Sequence, residues 1–339
     1  MIGRLLIVGN PLAFHVGGHL LAAARPLGLA AEITDVRSAN GPRIFDAISW
    51  RLWDRRPPWM RAFQRRVLGA CEQSRPTWLL ATGMVPLDRA TLQAIGEIGV
   101  RRLNFLTDDP WNSAHRNRWF LDALPAYDVV FTPRRSNLSD LTHAGCRDVR
   151  YLPFGYSPDQ HYPEVNQDPA RLRELQCDIL FVGGADWDRV PLIAALIGAG
   201  FKVALYGGYW ERYPETRALA RGIADPARLR QVSAAAGVTL VLVRRANRDG
   251  HVMRTLEAAA CRVCLLVEDT QEHRSFFGPE GECVAYFDSV PRMIEQARRL
   301  LADESLRLRL AGAAYQRVVV DGGHTYADRL RTMLEGTLP

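Results

Sequence analysis

The sequence has few of the features that staple or anchor a small secreted domain. Its 339 residues include six cysteines, scattered apart from the pair Cys261 and Cys264, so no disulfide framework is indicated. No apolar run approaches the roughly eighteen residues that a membrane-spanning helix needs. The chain is long enough to bury two cores without disulfides or metals. We therefore expect a cytoplasmic protein whose contact with a membrane, where it occurs, is peripheral at the inner face.

Lysine is almost absent, since Lys202 is the only one, and arginine supplies nearly all of the positive charge. Lysine and arginine together number 43 against 37 acidic residues, which gives a net charge of +6. A basic excess of this size suits phosphate-bearing ligands, an anionic membrane or nucleic acid. No nucleic-acid-binding module is recognisable, so we predict no nucleic-acid partner.

Short β-rich apolar runs alternate with helical patterns, which is typical of βαβ units and a parallel sheet. The pattern occurs twice, which predicts an α/β chain of two Rossmann-like halves. The expected strands of the first half are 5–8, 77–81, 101–107, 127–132 and 149–152. Those of the second half are 178–184, 201–206, 238–243, 263–267 and 283–286.

The predicted domain limits follow breaks in this pattern. A proline-rich polar segment without a clear period separates the halves, and Asp321-Gly322-Gly323 interrupts the helical carboxyl-terminal region before a last helix from about 324 to 334. We assign 1–155 to the first domain, 156–175 to a linker, 176–320 to the second domain and 321–339 to the last helix.

The loop after the first strand lacks the Gly-x-Gly-x-x-Gly spacing that binds a dinucleotide pyrophosphate, which argues against a dehydrogenase. Its Gly17-Gly18 pair is compatible with close backbone approach to an acceptor or phosphate, or with a plain turn. His15 in this loop is a candidate catalytic residue, although a lone histidine is more often structural.

Asp108 and Asp109 follow the strand at 101–107, where ligands of doubly wound sheets bind. A carboxylate there is a candidate general base. The competing interpretation is an Asp cap ahead of Pro110 at the first position of a helix. We expect one aspartate to cap and the other to function.

In the second half, Gly183 and Gly184 end a strand and would let a diphosphate approach, with Arg189 as its partner. Gly207 and Tyr209 follow the next strand, where an aromatic ring could stack on a nucleobase or pack on the surface.

The segment from Asp249 to Ala260 is the most informative. A helix is predicted to begin near Gly250 or His251, where its free amides favour a phosphate. Arg254 and Glu257 then lie on the same helical face as Gly250. Glu257, among apolar neighbours, is placed to accept both hydroxyls of a ribose and would be costly to bury unless partnered.

Two further patterns have simpler interpretations. The Cys-x-x-Cys pair has no second pair to complete a zinc site, so we interpret both cysteines as apolar filler. Aromatic residues alternate with arginines over 50–66, which suits a membrane surface or a charged polymer; two prolines break this segment, and a partly packed helical face is the competing interpretation.

Taken together, these loops resemble the GT-B glycosyltransferases, and more narrowly the branch similar to the spore maturation protein CgeB. The resemblance covers most of the chain from about residue 100. It is carried by Asp108-Asp109-Pro110, Tyr127-Asp128-Val129-Val130-Phe131-Thr132, Tyr151-Leu152-Pro153-Phe154-Gly155, Phe181-Val182-Gly183-Gly184 with Arg189, Arg254-Thr255-Leu256-Glu257-Ala258-Ala259-Ala260-Cys261, and His324-Thr325-Tyr326 with Arg329.

The resemblance implies two Rossmann-like domains facing across a cleft, with the last helix crossing back to the first domain. It implies a nucleoside-diphosphate sugar as donor, UDP-linked in many relatives, held by the second domain, and an acceptor held by the first. Glu257 stands where relatives have the ribose ligand, and Asp249 stands where they have a preceding glutamate. Arg189, Arg254 and helix amides would stabilise the departing diphosphate without a metal or a tightly bound cofactor.

We therefore predict a glycosyltransferase that acts on an unidentified polysaccharide, protein or small metabolite. A sugar-nucleotide epimerase or hydrolase on the same fold is one alternative. A non-catalytic module that binds a membrane or polymer is the other, and the sequence leaves inversion or retention of the sugar open.

Overall fold

The apolar runs form strands at every position where they are predicted. The structure is a computed structural model that describes residues 3–165 and 168–335, with the backbone alone at 47 and 48. Its described residues divide into two compact units. The first comprises 3–153, Ala246–Arg248 and 326–335, and the second comprises Phe154–Arg245 and Asp249–Thr325.

The first unit is built on a parallel sheet. Within 3–153 its strands are β1 (Arg4–Gly9), β2 (Ala30–Asp35), β3 (Trp78–Thr82), β4 (Arg101–Phe105), β5 (Val129–Thr132) and β6 (Val149–Tyr151), in the order β2-β1-β3-β4-β5-β6. The helices between them are α1 (Val16–Ala24), α2 (Arg43–Leu52), α3 (Met60–Ser74), α4 (Arg89–Glu97), α5 (Arg118–Ala123) and α6 (Ser136–His143). Consecutive strands lie on opposite sides of β1, so the sheet reverses its order between β1 and β3, the place where open α/β sheets bind ligands.

Strand β2 was not predicted from the sequence. It pairs in parallel with β1 at the sheet edge, and its residues alternate between exposed and partly buried positions. The run Ala-Ala-Glu-Ile-Thr-Asp has one large apolar residue, so it gives no hydrophobic signal of its own. Pairing with the buried strand β1 decides its conformation, which is a tertiary effect on a weak local preference.

The second unit repeats the design with a smaller sheet. In its described residues the strands are β7 (Cys177–Val182), β8 (Val203–Tyr206), β9 (Ala236–Val241), β10 (Leu265–Glu268) and β11 (Ala285–Phe287), in the parallel order β11-β10-β9-β7-β8. The helices are α7 (Pro169–Leu175), α8 (Arg189–Gly198), α9 (Pro226–Ala235), α10 (Met253–Ala260), α11 (Gln271–Phe277), α12 (Val290–Ala302) and α13 (Glu304–Tyr315). The order of this sheet reverses between β7 and β9.

The last helix, α14 (Tyr326–Glu335), belongs to the first unit. The helical region after α13 is interrupted at Gly322 and Gly323, which both adopt positive φ, as the glycine pair in the sequence predicts. Helix α14 then packs against α1, where Tyr326 stacks on His19 with ring centroids 4.7 Å apart. The Arg329 side chain donates to the Pro153 carbonyl at 2.8 Å.

All six cysteines are free and buried. Burial raises the pKa of the Cys261 and Cys264 thiols to about 12, so neither is a ready thiolate at neutral pH. Both side chains contribute to apolar clusters of the second unit, as expected of filler.

Candidate functional site

The glycines after β7 and β8 serve close packing between two loops. Gly207 has φ +133°, and a Cβ there would lie 2.1 Å from the Gly183 carbonyl oxygen. That same oxygen accepts from the Trp210 indole at 2.8 Å, and the Gly183 amide donates to Tyr206 O at 2.8 Å. Gly184 O accepts from the Arg189 guanidinium. The predicted glycines thus lie together at the carboxyl edge of the sheet, with several of their backbone groups already hydrogen-bonded.

Arg189 lies at the point where the second sheet reverses its order. It is the first residue of α8 and only 5% exposed. Its guanidinium donates to Gly184 O and to Leu242 O, both at 3.1 Å, and lies over the Phe181 ring. Burial, followed by the nearby Arg244, lowers the pKa of Arg189. Arg189 therefore ties the ends of β7 and β9 together.

Arg244 was missed by the sequence analysis, although it directly follows the buried run of β9. Its Nε lies 3.5 Å from the Asp186 carboxylate, and the side chain is more exposed than that of Arg189. Asp186 also accepts from the amides of Asp188 and Arg189 at the start of α8. Two arginines thus meet at the edge where an open α/β sheet binds its ligand.

Asp186 and Asp188 form an Asp-x-Asp motif that the sequence analysis overlooked. In many enzymes such a pair binds a metal with the help of further carboxylates or substrate phosphates. Here Asp186 accepts from backbone amides and pairs with arginines. In 3–165 and 168–335, no group of three or more His, Cys, Asp or Glu side chains is placed to hold a metal ion.

Helix α10 begins later than the sequence predicts. Its first residue is Met253, and Val252 occupies the cap position, with Val252 N donating to Thr255 Oγ1. Gly250 therefore precedes the helix and does not share its face, which corrects the prediction. A Cβ on Gly250 would lie 2.0 Å from the Glu272 carboxyl carbon, so a larger residue here would require the Glu272 side chain of α11 to move.

His251 is fully buried beside this turn. Its Nε2 accepts from the Phe154 amide at 3.2 Å, and its ring packs edge-on against Phe154 and Phe276. The imidazole thus holds Phe154, the first residue of the second unit. Asp249, the preceding acid, is half-buried; its amide donates to Arg244 O, and its charge acts on Arg189.

Glu257 is buried on α10 at 3% exposure and is partnered. Arg254, one turn earlier, places Nη1 2.9 Å from Glu257 Oε2, and its side chain keeps 22% exposure. The Arg254 Nε atom has no hydrogen-bond acceptor among the described residues. The pair is therefore an acid held in place by an arginine that retains donor capacity.

His161 completes this group and was not predicted. It lies in the segment assigned as a linker, and its Nε2 is 3.8 Å from Glu257 Oε1. Its Nδ1 accepts from the Ser157 amide, so the neutral ring carries its proton on Nε2, toward the carboxylate. Burial, with Arg254 and Arg230 next, lowers the pKa of His161 to about 3. The proline-rich polar sequence around it has no period that would indicate burial.

Tyr209 remains half-exposed at the end of β8. Its backbone has φ +75°, and the Arg212 guanidinium lies 4.1 Å from its ring centroid. A tyrosine in this left-handed conformation is uncommon, and its ring faces solvent over much of its surface.

In the first unit, Asp109 is 1% exposed and fully engaged. Arg248 donates to both carboxylate oxygens, at 2.6 and 3.0 Å, and Oδ1 also accepts from the Asn137 amide and from Trp111 N. Hydrogen bonding to Asp109 raises the pKa of Arg248 further. No helix begins at Pro110, so the predicted helix cap is wrong; Asp109 closes a turn instead.

Asp108 is the more accessible of the two aspartates. Its Oδ1 accepts from Asn247 at 3.2 Å and its Oδ2 from the Thr107 hydroxyl at 3.4 Å. Asn247 also accepts from the Asn112 amide at 2.6 Å. Ala246–Arg248 is thus part of the first unit through its contacts with the loop after β4.

His15 stands at the start of α1, after β1, with an exposed side chain. Partial desolvation and then Arg37 lower its pKa from the usual 6.5, whereas the charge of Asp108 acts to raise it. The charge of Asp108 thus acts on His15 at the carboxyl edge of the first sheet. The sequence names both residues but gives no indication that they interact.

The two sheets and their order define the class of protein: an α/β chain of the GT-B fold, as predicted. The family model described as glycosyl transferase-like matches residues 189–335, which include α10. Residues 189–335 are thus similar to the glycosyl transferase-like family, and this match together with the GT-B fold supports the predicted enzyme class.

Solved structures share this fold over nearly the whole chain. Sucrose-phosphate synthase from Thermosynechococcus elongatus is 13% identical, with 98% of each chain covered and a TM-score of 0.68. Anabaena HepE in complex with UDP is 11% identical, with 99% of each covered and a TM-score of 0.62. A putative UDP-N-acetylglucosamine 2-epimerase from Listeria monocytogenes is 14% identical, with 100% of this chain and 98% of the other covered and a TM-score of 0.56. No curated protein matches the chain by sequence.

Proposed function

We propose that the protein transfers a sugar from a UDP-sugar to an acceptor, with the donor bound by the second unit. The observation that carries the proposal is the buried pair of Glu257 and Arg254 on α10, in a sheet whose carboxyl edge also carries Arg244. A buried carboxylate offers acceptor sites on both of its oxygens, which suits the two hydroxyls of a ribose diol. HepE, which shares the fold, has been solved with UDP and with UDP-glucose, which supports uracil as the base of the donor.

The second unit has the groups that a departing diphosphate requires. Arg254 retains an unpaired Nε donor, and Arg244 is partly exposed at the end of β9. Cations and amides aimed at developing charge lower the barrier to departure of the leaving group. We propose a metal-independent mechanism on this basis, with no tightly bound cofactor. Gly183, Gly184, Gly207 and Gly250 shape the loops around these groups, and Tyr209 presents a ring for the base.

Several assigned residues take supporting roles in this proposal. Arg189 and His251 are buried and hydrogen-bond to backbone groups of the protein, so we assign them to holding the loops of the donor site rather than to contacting the donor. The charge of Asp249 acts to raise the pKa of Arg189. The assignment to the CgeB-like branch rests on the motifs of the sequence, and the six buried free thiols favour a cytoplasmic location.

We assign the acceptor to the first unit, with His15 as the base and Asp108 as its partner. Asp109 is a poor base because four donors already occupy its carboxylate. A histidine whose pKa lies below 6.5 is unprotonated at neutral pH and is ready to accept a proton from a hydroxyl. The acceptor is a polysaccharide, a protein or a small metabolite.

The experiment that tests the function measures release of the nucleoside diphosphate from UDP-glucose, UDP-N-acetylglucosamine, GDP-mannose and ADP-glucose, with and without candidate acceptors. The proposal predicts release of UDP from a UDP-sugar that increases when an acceptor is added, together with a product heavier by one sugar. A free epimer formed without any acceptor would instead support the epimerase alternative. No turnover and no nucleotide affinity would support a non-catalytic module.

The pairing of His15 with Asp108 has its own test. We expect the NMR titration of the His15 ring to give a pKa below 6.5, and Asp108→Asn to lower it further because the carboxylate raises it. Arg37→Gln should raise the pKa of His15, because Arg37 lowers it. His15→Asn identifies the resonance. An unchanged His15 pKa in Asp108→Asn would show that the two groups do not interact.

A further inference from the structure

Residues 43–66, which we call the arginine–aromatic patch, expose an unusual amount of apolar surface. Ile44, Leu52 and Trp53 are 67%, 72% and 60% exposed, and Phe45, Trp50 and Trp59 are each about half exposed. Elsewhere in the described part of the first unit, the exposed large apolar residues are Leu12 and Phe14. Large exposed apolar side chains concentrated in one segment are typical of an interaction site.

Helix α2 faces its apolar side outward. At about 100° per residue, Ile44, Phe45 and Leu52 fall within one 100° arc of the helix. Ser49, outside that arc, is 1% exposed, and its hydroxyl donates to Arg56 O. Ser49 therefore packs against the protein with a polar side chain while Ile44, Phe45 and Leu52 face solvent, which is unlike an ordinary surface helix.

The same patch carries most of the net charge of the chain. It has seven arginines and two aspartates, a net +5 in a protein of net +6. Both aspartates are engaged, since Asp46 accepts from Gly41 N and Asp54 from Arg118 N. The exposed arginines of the patch are Arg43, Arg51, Arg56, Arg61, Arg65 and Arg66.

We propose that the arginine–aromatic patch docks on an anionic lipid bilayer. Leucine, isoleucine and phenylalanine side chains require hydrocarbon, tryptophan favours the interface, and arginine pairs with lipid phosphates. A bilayer supplies all three at one surface. A nucleic acid would take the arginines and leave the aliphatic side chains in water, and a second copy of this chain would set +5 against +5.

The test is co-sedimentation with vesicles of phosphatidylcholine, with and without phosphatidylglycerol. We expect binding to the anionic vesicles that weakens as salt rises, and little binding to phosphatidylcholine alone. Equal binding to both compositions, or binding to neither, would overturn the proposal. So would a dimer in light scattering that dissociates when Leu52 is replaced by serine.

Matched variants separate the patch from general effects of substitution. Leu52→Ser should weaken vesicle binding at least about tenfold, whereas Leu308→Ser, at a similarly exposed site of the second unit, should not. Arg51→Gln should weaken it about fivefold, with Arg298→Gln as its exposed control. All four should keep the wild-type melting temperature. Equal losses in the patch and control variants would contradict a specific docking surface, whatever the outcome for UDP binding.

Discussion

Glu257→Ala is expected to weaken UDP binding at least about a hundredfold in calorimetry. The carboxylate is the proposed acceptor for both ribose hydroxyls, and each hydrogen bond to a charged group contributes about 1.5–3 kcal/mol. Two such bonds correspond to two or more factors of ten in affinity. The substitution also removes the partner of Arg254 and the neighbour of His161. We therefore expect a lower melting temperature, and affinity must be measured well below it.

Two control variants separate binding from stability. Glu257→Gln keeps the size of the side chain and one acceptor oxygen, so its affinity should lie between wild type and Glu257→Ala. Asp109→Asn alters a comparably buried acid in the first unit and should leave UDP affinity unchanged. Wild-type affinity in a folded Glu257→Ala protein would contradict the assigned ribose site.

Asp109→Ala is expected to lower the free energy of unfolding by about 2–4 kcal/mol in denaturant titration. The substitution removes an acceptor for Arg248, Asn137 and the Trp111 amide. An unsatisfied buried donor costs about 1–3 kcal/mol. Arg248 is the least affected of the three, because it is 41% exposed and keeps its ion pair with Asp140.

Asp108→Ala provides the matched comparison, since Asp108 is less buried and accepts two long hydrogen bonds. We expect it to cost about 1 kcal/mol or less in stability but to slow transfer by removing the partner of His15. The opposite pattern, a stable Asp109→Ala protein without turnover, would make Asp109 the catalytic residue and contradict our assignment.

The sequence predicts the fold well because each buried strand carries its own local signal. Apolar runs such as Leu5 to Val8 and Val238 to Val243 are buried in the two sheets, and the periodicity around them predicts the helices. The boundary of α10 is less certain from sequence, since Gly250 packs against Glu272 from α11, which local pattern does not reveal. Strand β2 was not predicted for a similar reason, because its conformation depends on pairing with β1.

The candidate site is only partly predictable. Glu257 was identified from the sequence because an acid among alanines needs a partner. Arg254 lies three residues earlier on the same helix, so the sequence places it nearby, whereas His161 lies far away along the chain and its proximity depends on the fold. The engagement of Asp109 by Arg248 spans 139 residues and belongs to no local motif. Contacts of this kind depend on the fold, so sequence reasoning names the residues and leaves their roles open.

Hydrogen–deuterium exchange with and without UDP tests the central claim, that the second unit holds a nucleotide at α10. We predict that UDP slows exchange in peptides covering 250–260 and the strand ends at 183–189 and 242–245, and that Glu257→Ala abolishes the effect. Protection confined to the first unit, around Asp108 and His15, would contradict the account. So would the absence of any protection at saturating UDP.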